Sequence, residues 1–154
     1  MKMDGKIRVA TDPTFKELYN NMKSYGAIGD SHELFFVCAC LGYRKGKYTP
    51  IRKRDDRFWS STITPPEWAC YYAMMLEKNS FDYEKVSEDK DVLAVIEGYA
   101  NAGISILIDE FLSDYLLSNS KGSDPQLDPT SCKELPKQFI HFIFEQSEQE
   151  TWDN

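Results

Sequence analysis

Between Leu93 and Tyr115 apolar side chains recur every three or four residues, as Leu93, Ile96, Ala100, Ile104, Leu107, Phe111 and Tyr115. That spacing puts them on one face of an α-helix, and a helix of this length needs a core to lie against. The pattern predicts a long helix that begins near Ser87. Two glycines fall inside it, Gly98 and Gly103. Each costs about 0.5–1 kcal/mol relative to alanine in a helix interior. Either the helix breaks at these points or the missing side chains let another element approach. Close approach is expected at Gly98, and both outcomes stay open at Gly103.

The rest of the chain supplies further helices for that one to pack on. Thr64-Pro65-Pro66-Glu67 carries a complete set of start signals: Thr64 as cap, Pro65 at the first helical position and Glu67 reaching back. Trp68, Tyr71, Tyr72, Met75 and Leu76 follow at helical spacing. Asp12-Pro13 opens an earlier helix with Phe15, Leu18, Tyr19 and Met22 on its apolar side, closed by Gly26 and Gly29. Asp30 and Glu33 resemble a capping box for a second helix through Leu34, Val37, Cys38 and Leu41, ending near Gly42. A last short helix is expected over Leu135–Gln146, after the loop-like Ser118–Cys132. Lys6 to Ala10 alternates charged and apolar residues, the period of a strand. Tyr43–Ile63 reads as a long loop or a loose hairpin. The expected fold is therefore mainly α: a single compact domain of about five helices, a short N-terminal strand and a small β-hairpin. Residues 1–118 form its body, and residues 119–154 add a loop and a short helix packed on it. A length of 154 residues fits one domain, and 14% aromatic residues argue for a packed core.

No stretch approaches the ~20 apolar residues that span a bilayer, the richest run being Leu34–Leu41. The N-terminus lacks the apolar region of a secretory signal, so a cytoplasmic protein is expected. Cys38, Cys40, Cys70 and Cys132 are then read as reduced thiols. Cys38 and Cys40, two apart on a helix, point about 200° away from each other and cannot share a zinc ion. No metal or cofactor is expected.

Chemistry is sparsely signalled. His32 and His141 are the only histidines, and no G-x-S-x-G elbow accompanies them. Gly46-Lys47 lacks the flanking residues of a phosphate loop, with Leu41 and Tyr48 where Gly and Ser or Thr are needed. Glu88-Asp89-Lys90, with Asp82, matches half of a metal-dependent nuclease site, although carboxylates in a first helical turn are equally explained by the helix dipole. A non-enzymatic role is the expectation.

Charge is the strongest local feature. The formal net charge is −7, yet residues 1–60 hold 12 basic and 7 acidic side chains. Seven of the basic residues lie between positions 44 and 57: Arg44, Lys45, Lys47, Arg52, Lys53, Arg54 and Arg57. Only Asp55 and Asp56 oppose them. Such a cluster binds phosphate or an acidic protein. Tyr43, Tyr48, Phe58 and Trp59 are interleaved with it, and aromatic rings stack on unpaired bases. The order strand, helix, helix also matches ribbon-helix-helix proteins, where strands from two copies pair in a homodimer. Lys6 and Arg8 would then face DNA.

Two blocks resemble a known family. Phe15–Ile51 (FKELYNNMKSYGAIGDSHELFFVCACLGYRKGKYTPI) is similar to the proteins called Dnd system-associated protein 4, with Leu41-Gly42-Tyr43 followed by Lys45, Gly46 and Pro50 at the family's positions. Ile96–Leu112 (IEGYANAGISILIDEFL) resembles the family's Y-A-N-G-G stretch, with Ala102 in place of its first glycine. The tail after Ser118 has no counterpart. The resemblance implies a non-enzymatic accessory or regulatory protein of a bacterial DNA phosphorothioation-linked modification or anti-phage restriction system. It would contact DNA, protein components of the restriction complex, or both. A pure protein-interaction subunit is the alternative, and a metal-dependent nuclease at Asp82, Glu88 and Lys90 a third.

Overall fold

The computed structural model describes residues 5–80, 82, 84, 88–120 and 123–152. Among these residues, five helices pack into one hydrophobic core, beside a two-stranded antiparallel sheet. In chain order they are β1 (Arg8–Thr11), α1 (Lys16–Ser24), α2 (Ser31–Arg44), β2 (Asp55–Trp59), α3 (Pro65–Lys78), α4 (Asp89–Glu110) and α5 (Leu135–Trp152). Short 3-10 turns fill in at Pro13–Phe15, Ser60–Thr62, Leu112–Tyr115 and Ser118–Ser120.

The long helix is α4, and it runs unbroken through both glycines. Its expected start at Ser87 lies outside the described residues. Each glycine is explained by what lies against it. A Cβ on Gly103 would overlap the Cys38 carbonyl of α2, and one on Gly42 would overlap the Tyr99 carbonyl of α4. These two helices thus meet backbone to backbone, each supplying a glycine where the other passes. Gly98 answers to a side chain instead: its missing Cβ leaves room for the Tyr48 ring. Around this crossing Leu34, Phe35 and Cys38 of α2 and Leu93, Ile96 and Leu107 of α4 are buried. Burying such a side chain contributes about 1.5–3 kcal/mol.

By length and composition α4 is long and apolar enough to cross a membrane, with a mean hydropathy of 1.4 over its best window. The expectation that no stretch comes near this limit is corrected here. Val, Leu, Ile and Ala in the helix raise its hydropathy without forming one continuous aliphatic run. In this fold α4 is the central core helix, and 56% of that window is buried.

Helix ends follow the local signals closely. Thr64 and Glu67 form the full capping box at the start of α3. Asp30 caps α2 through Ser31 N, while Glu33 reaches past the cap to Gly29 N at 2.7 Å. α2 continues beyond Gly42 to Arg44, because Gly42 is needed inside the helix for the crossing. It ends on Gly46 at φ +65°, where Gly46 N donates to Tyr43 O and Lys47 N to Gly42 O. That paired pattern is a Schellman stop, and it turns the chain sharply out of the helix.

The strand expected at Lys6–Ala10 is found one to two residues later, and its partner is β2 of the same chain. The ribbon reading required pairing with a second copy. The strand in Tyr43–Ile63 likewise does not fold back locally but crosses to β1. Val9 faces Phe58 and Ala10 faces Asp56, so Arg57 is the extra residue of a β-bulge. A bulge re-aims its side chain, and here it sends Arg57 inward.

The C-terminal segment packs on the same body. Leu127 N donates to Asn21 Oδ1 of α1 at 2.9 Å, and Leu116 bridges to Leu127. Phe111 contacts Phe139 and Phe142 of α5, the latter stacked at 5.1 Å. α5 extends past the expected Gln146, to Trp152.

Candidate functional site: a basic loop held on α4

The Schellman turn at Gly46 starts a segment without helix or strand that reaches β2 at Asp55. One turn of α4 grips it at both ends. At the first end the Tyr48 ring lies against Gly98 and makes an edge contact with Tyr99, centroids 5.1 Å apart. Tyr43 meets the same Tyr99 at 5.4 Å. Thr49 N donates to Gly98 O at 3.1 Å, and Asn101 Nδ2 donates to Thr49 O at 3.1 Å. The Lys78 ammonium of α3 sits 5.1 Å from the Tyr48 ring centre and 5.5 Å from that of Tyr99, a cation–π arrangement.

At the second end Arg54 forms a two-pronged ion pair with Glu97, Nη1 to Oε1 at 2.6 Å and Nη2 to Oε2 at 3.0 Å. The Glu97 side chain is only 4% exposed, while Arg54 is 55% exposed. Glu97 Oε2 also accepts from Ala10 N at 2.8 Å. One buried carboxylate therefore binds β1 and the basic segment to α4. The hydrogen bond and charge of Glu97 raise the Arg54 pKa, opposed by partial burial.

These contacts sort the seven basic residues. Arg57 is turned in by the bulge, with its side chain 6% exposed. Its Nη2 lies 2.5 Å from Asp55 Oδ2, its Nε donates to Thr11 Oγ1 at 2.9 Å, and the guanidinium covers the Tyr19 ring. Arg54 is held by Glu97. Arg44 donates to Gln146 O of α5, and Lys45 pairs with Glu110 at 3.6 Å. Lys47, Arg52 and Lys53 remain, all exposed and without an ion pair among the described residues. The segment enters β2 at Asp55, and at the other end of that strand Arg8 lies over the Trp59 ring at 4.4 Å and pairs with Asp56 at 3.6 Å. Trp59 is 48% exposed. Lys6 is exposed just before β1.

The other candidate groups take structural places. His32 Nδ1 lies 2.9 Å from Glu67 Oε1, joining α2 to the cap of α3. His141 pairs with Glu145 one turn along α5. Asp89 is buried and accepts the Tyr72 hydroxyl, so it does not face solvent with Glu88. Among the described residues, no three His, Cys, Asp or Glu side chains are placed to hold a metal ion. A cleft of about 320 Å³ lies between α2, α3 and α5, with Cys40, Cys70 and Met74 in its lining.

Counting charges found the segment but not the sorting within it, because pairing partners such as Glu97 and Thr11 lie far away in sequence. Asn101 and Gly98 had a signal in the sequence, as polar or small positions on an otherwise apolar helix. Compared with known proteins, the chain matches no family model, no curated protein and no solved structure.

Proposed function

We propose that this chain is a non-enzymatic accessory protein that contacts nucleic acid through the loop between α2 and β2. The observation that carries the reading is the sorting of its cations. Arg54 and Arg57 are consumed in holding the loop, and Lys47, Arg52 and Lys53 are left exposed, without an ion pair among the described residues. Unpaired cations on an anchored loop suit phosphate, where neutralisation releases condensed counterions. The setting, a bacterial DNA phosphorothioation-linked modification or restriction system in the cytoplasm, rests on the resemblance of Phe15–Ile51 and Ile96–Leu112. Within that reading Gly42, Tyr43, Gly46, Tyr99 and Asn101 build the loop's support.

Salt-dependent DNA binding tests it. The combined change Lys47→Ala, Arg52→Ala, Lys53→Ala should weaken binding at low salt. It should also flatten the plot of log affinity against log salt by about two to three units. A wild-type protein that shifts no DNA probe at low salt would remove direct DNA contact.

A second reading is a protein-interaction subunit, favoured by one feature of α5. Ile140 and Phe144, one turn apart, are 55% and 64% exposed. Retention of a protein partner through nuclease and high salt, lost with Phe144→Ser, would favour it.

A further inference from the structure

We infer that the loop takes single-stranded nucleic acid, with Trp59 as a base-stacking platform; this rests on the loop reading above and narrows it.

The argument starts from the sheet. At one end of the sheet the paired residues Val9 and Phe58 are buried, while the next pair, Arg8 and Trp59, is partly exposed and exposed. An outward position on a two-stranded sheet usually carries a polar residue. Here it carries an indole that is 48% exposed. Tyr48, Ile140 and Phe144 are the other exposed large hydrophobic residues among those described. Tyr48 is already committed, its ring set against Gly98 and under Lys78. Trp59 has no such burial to account for it. Its directly opposite residue is Arg8, whose guanidinium lies over the ring at 4.4 Å. A cation stacked on an aromatic ring makes a surface that matches a base flanked by its phosphate.

Strandedness follows from what each partner can offer. Duplex bases are stacked on each other and present only their edges, so an exposed indole gains little from them. A single strand offers base faces as well as phosphates. Lys47, Arg52 and Lys53 supply contacts for the backbone, and Trp59 with Arg8 supplies the stack. Asp55 and Asp56 do not compete for this role, since Arg57 and Arg8 respectively hold them.

The test is fluorescence anisotropy with a labelled oligodeoxythymidylate and a hairpin duplex bearing the same label. The single strand should bind at least tenfold more tightly. Trp59→Ala should lose about 5- to 150-fold on the single strand and leave its salt slope unchanged. Trp59→Phe should keep most of the affinity, and far-UV circular dichroism of both variants should match wild type. Tighter or equal binding of the duplex would overturn the inference while leaving the loop reading intact. So would an unaffected Trp59→Ala protein, or displacement of the strand by polyglutamate at equal charge. Failure to bind either probe at low salt would overturn both.

Discussion

Glu97, buried in the middle of α4, accepts two hydrogen bonds from Arg54 and a third from the backbone of Ala10. A strand, a loop and a helix are joined at one carboxylate. Arg54→Ala leaves that carboxylate with only the Ala10 amide. The Arg54 end is solvated, so the cost is below that of a fully buried pair, about 1–2 kcal/mol. Glu97→Ala removes the acceptor for Ala10 as well and should cost about 2–4 kcal/mol. Urea unfolding of the two variants checks the order. Equal costs would show that Ala10 finds another acceptor.

Three glycines should respond differently to alanine. At Gly42 and Gly103 the new methyl meets backbone carbonyls, which cannot step aside without separating α2 and α4. Each substitution should destabilise the protein by about 3 kcal/mol or more. At Gly98 the obstacle is the half-exposed Tyr48 ring, which can swing out. Gly98→Ala should therefore stay within about 1 kcal/mol of wild type, helped by better helix propensity. Its loss should appear as weaker nucleic-acid binding. Thermal melts and the binding assay together separate the two behaviours.

Alkaline pH should unfold the protein through its tyrosines. Burial pushes the hydroxyls of Tyr19 and Tyr71 well above their ordinary value of 10.0. Tyr72 is raised too, first by burial and then by its hydrogen bond to Asp89. Above pH 10 the unfolded chain releases these protons and the folded one keeps them. The folded state then binds more protons, so its stability is full below that pH and falls as pH rises beyond it. Absorbance at 295 nm should show a late group of tyrosines ionising together with loss of helical circular dichroism. Smooth, independent ionisation of all tyrosines in a still-folded protein would contradict this.

The four thiols should divide by position. Cys70 is exposed and Cys40 partly so, whereas Cys38 and Cys132 are buried. Burial also raises the Cys38 and Cys132 pKa values, which disfavours their thiolates. A water-soluble disulfide reagent should label Cys70 first, and Cys38 and Cys132 only at the rate of unfolding. Mass spectrometry of partly labelled protein reads the order directly.

Local signals carried much of this fold. The Thr64 capping box and the spacing of Leu93 to Tyr115 were enough to place α3 and α4. Packing at Gly98 was also readable, because a glycine that persists in a good helix asks for a neighbour. What pairs over distance was not readable. β2 finds its partner about fifty residues away, so Tyr43–Ile63 looked like a loop or a local hairpin. Arg54 and Arg57 looked the same as Arg52 and Lys53, since charge carries no record of direction. A one-residue bulge decides that Arg57 turns inward, and Glu97 decides the fate of Arg54. Glu97 itself was hidden in an apolar run that signalled only a helix.

The grip of a single α4 turn on both ends of the basic segment has an entropic consequence. A flexible loop must surrender its freedom when it binds, and that loss is subtracted from affinity. Here the chain from Tyr48 to Arg54 is confined before any partner arrives, by Gly98, Asn101 and Glu97 on a helix locked to α2. Most of the ordering cost has thus been met during folding, when the core forms. Loosening the Gly42–Gly103 crossing would return that cost to the binding step, and a change deep in the core would be felt as a weaker surface.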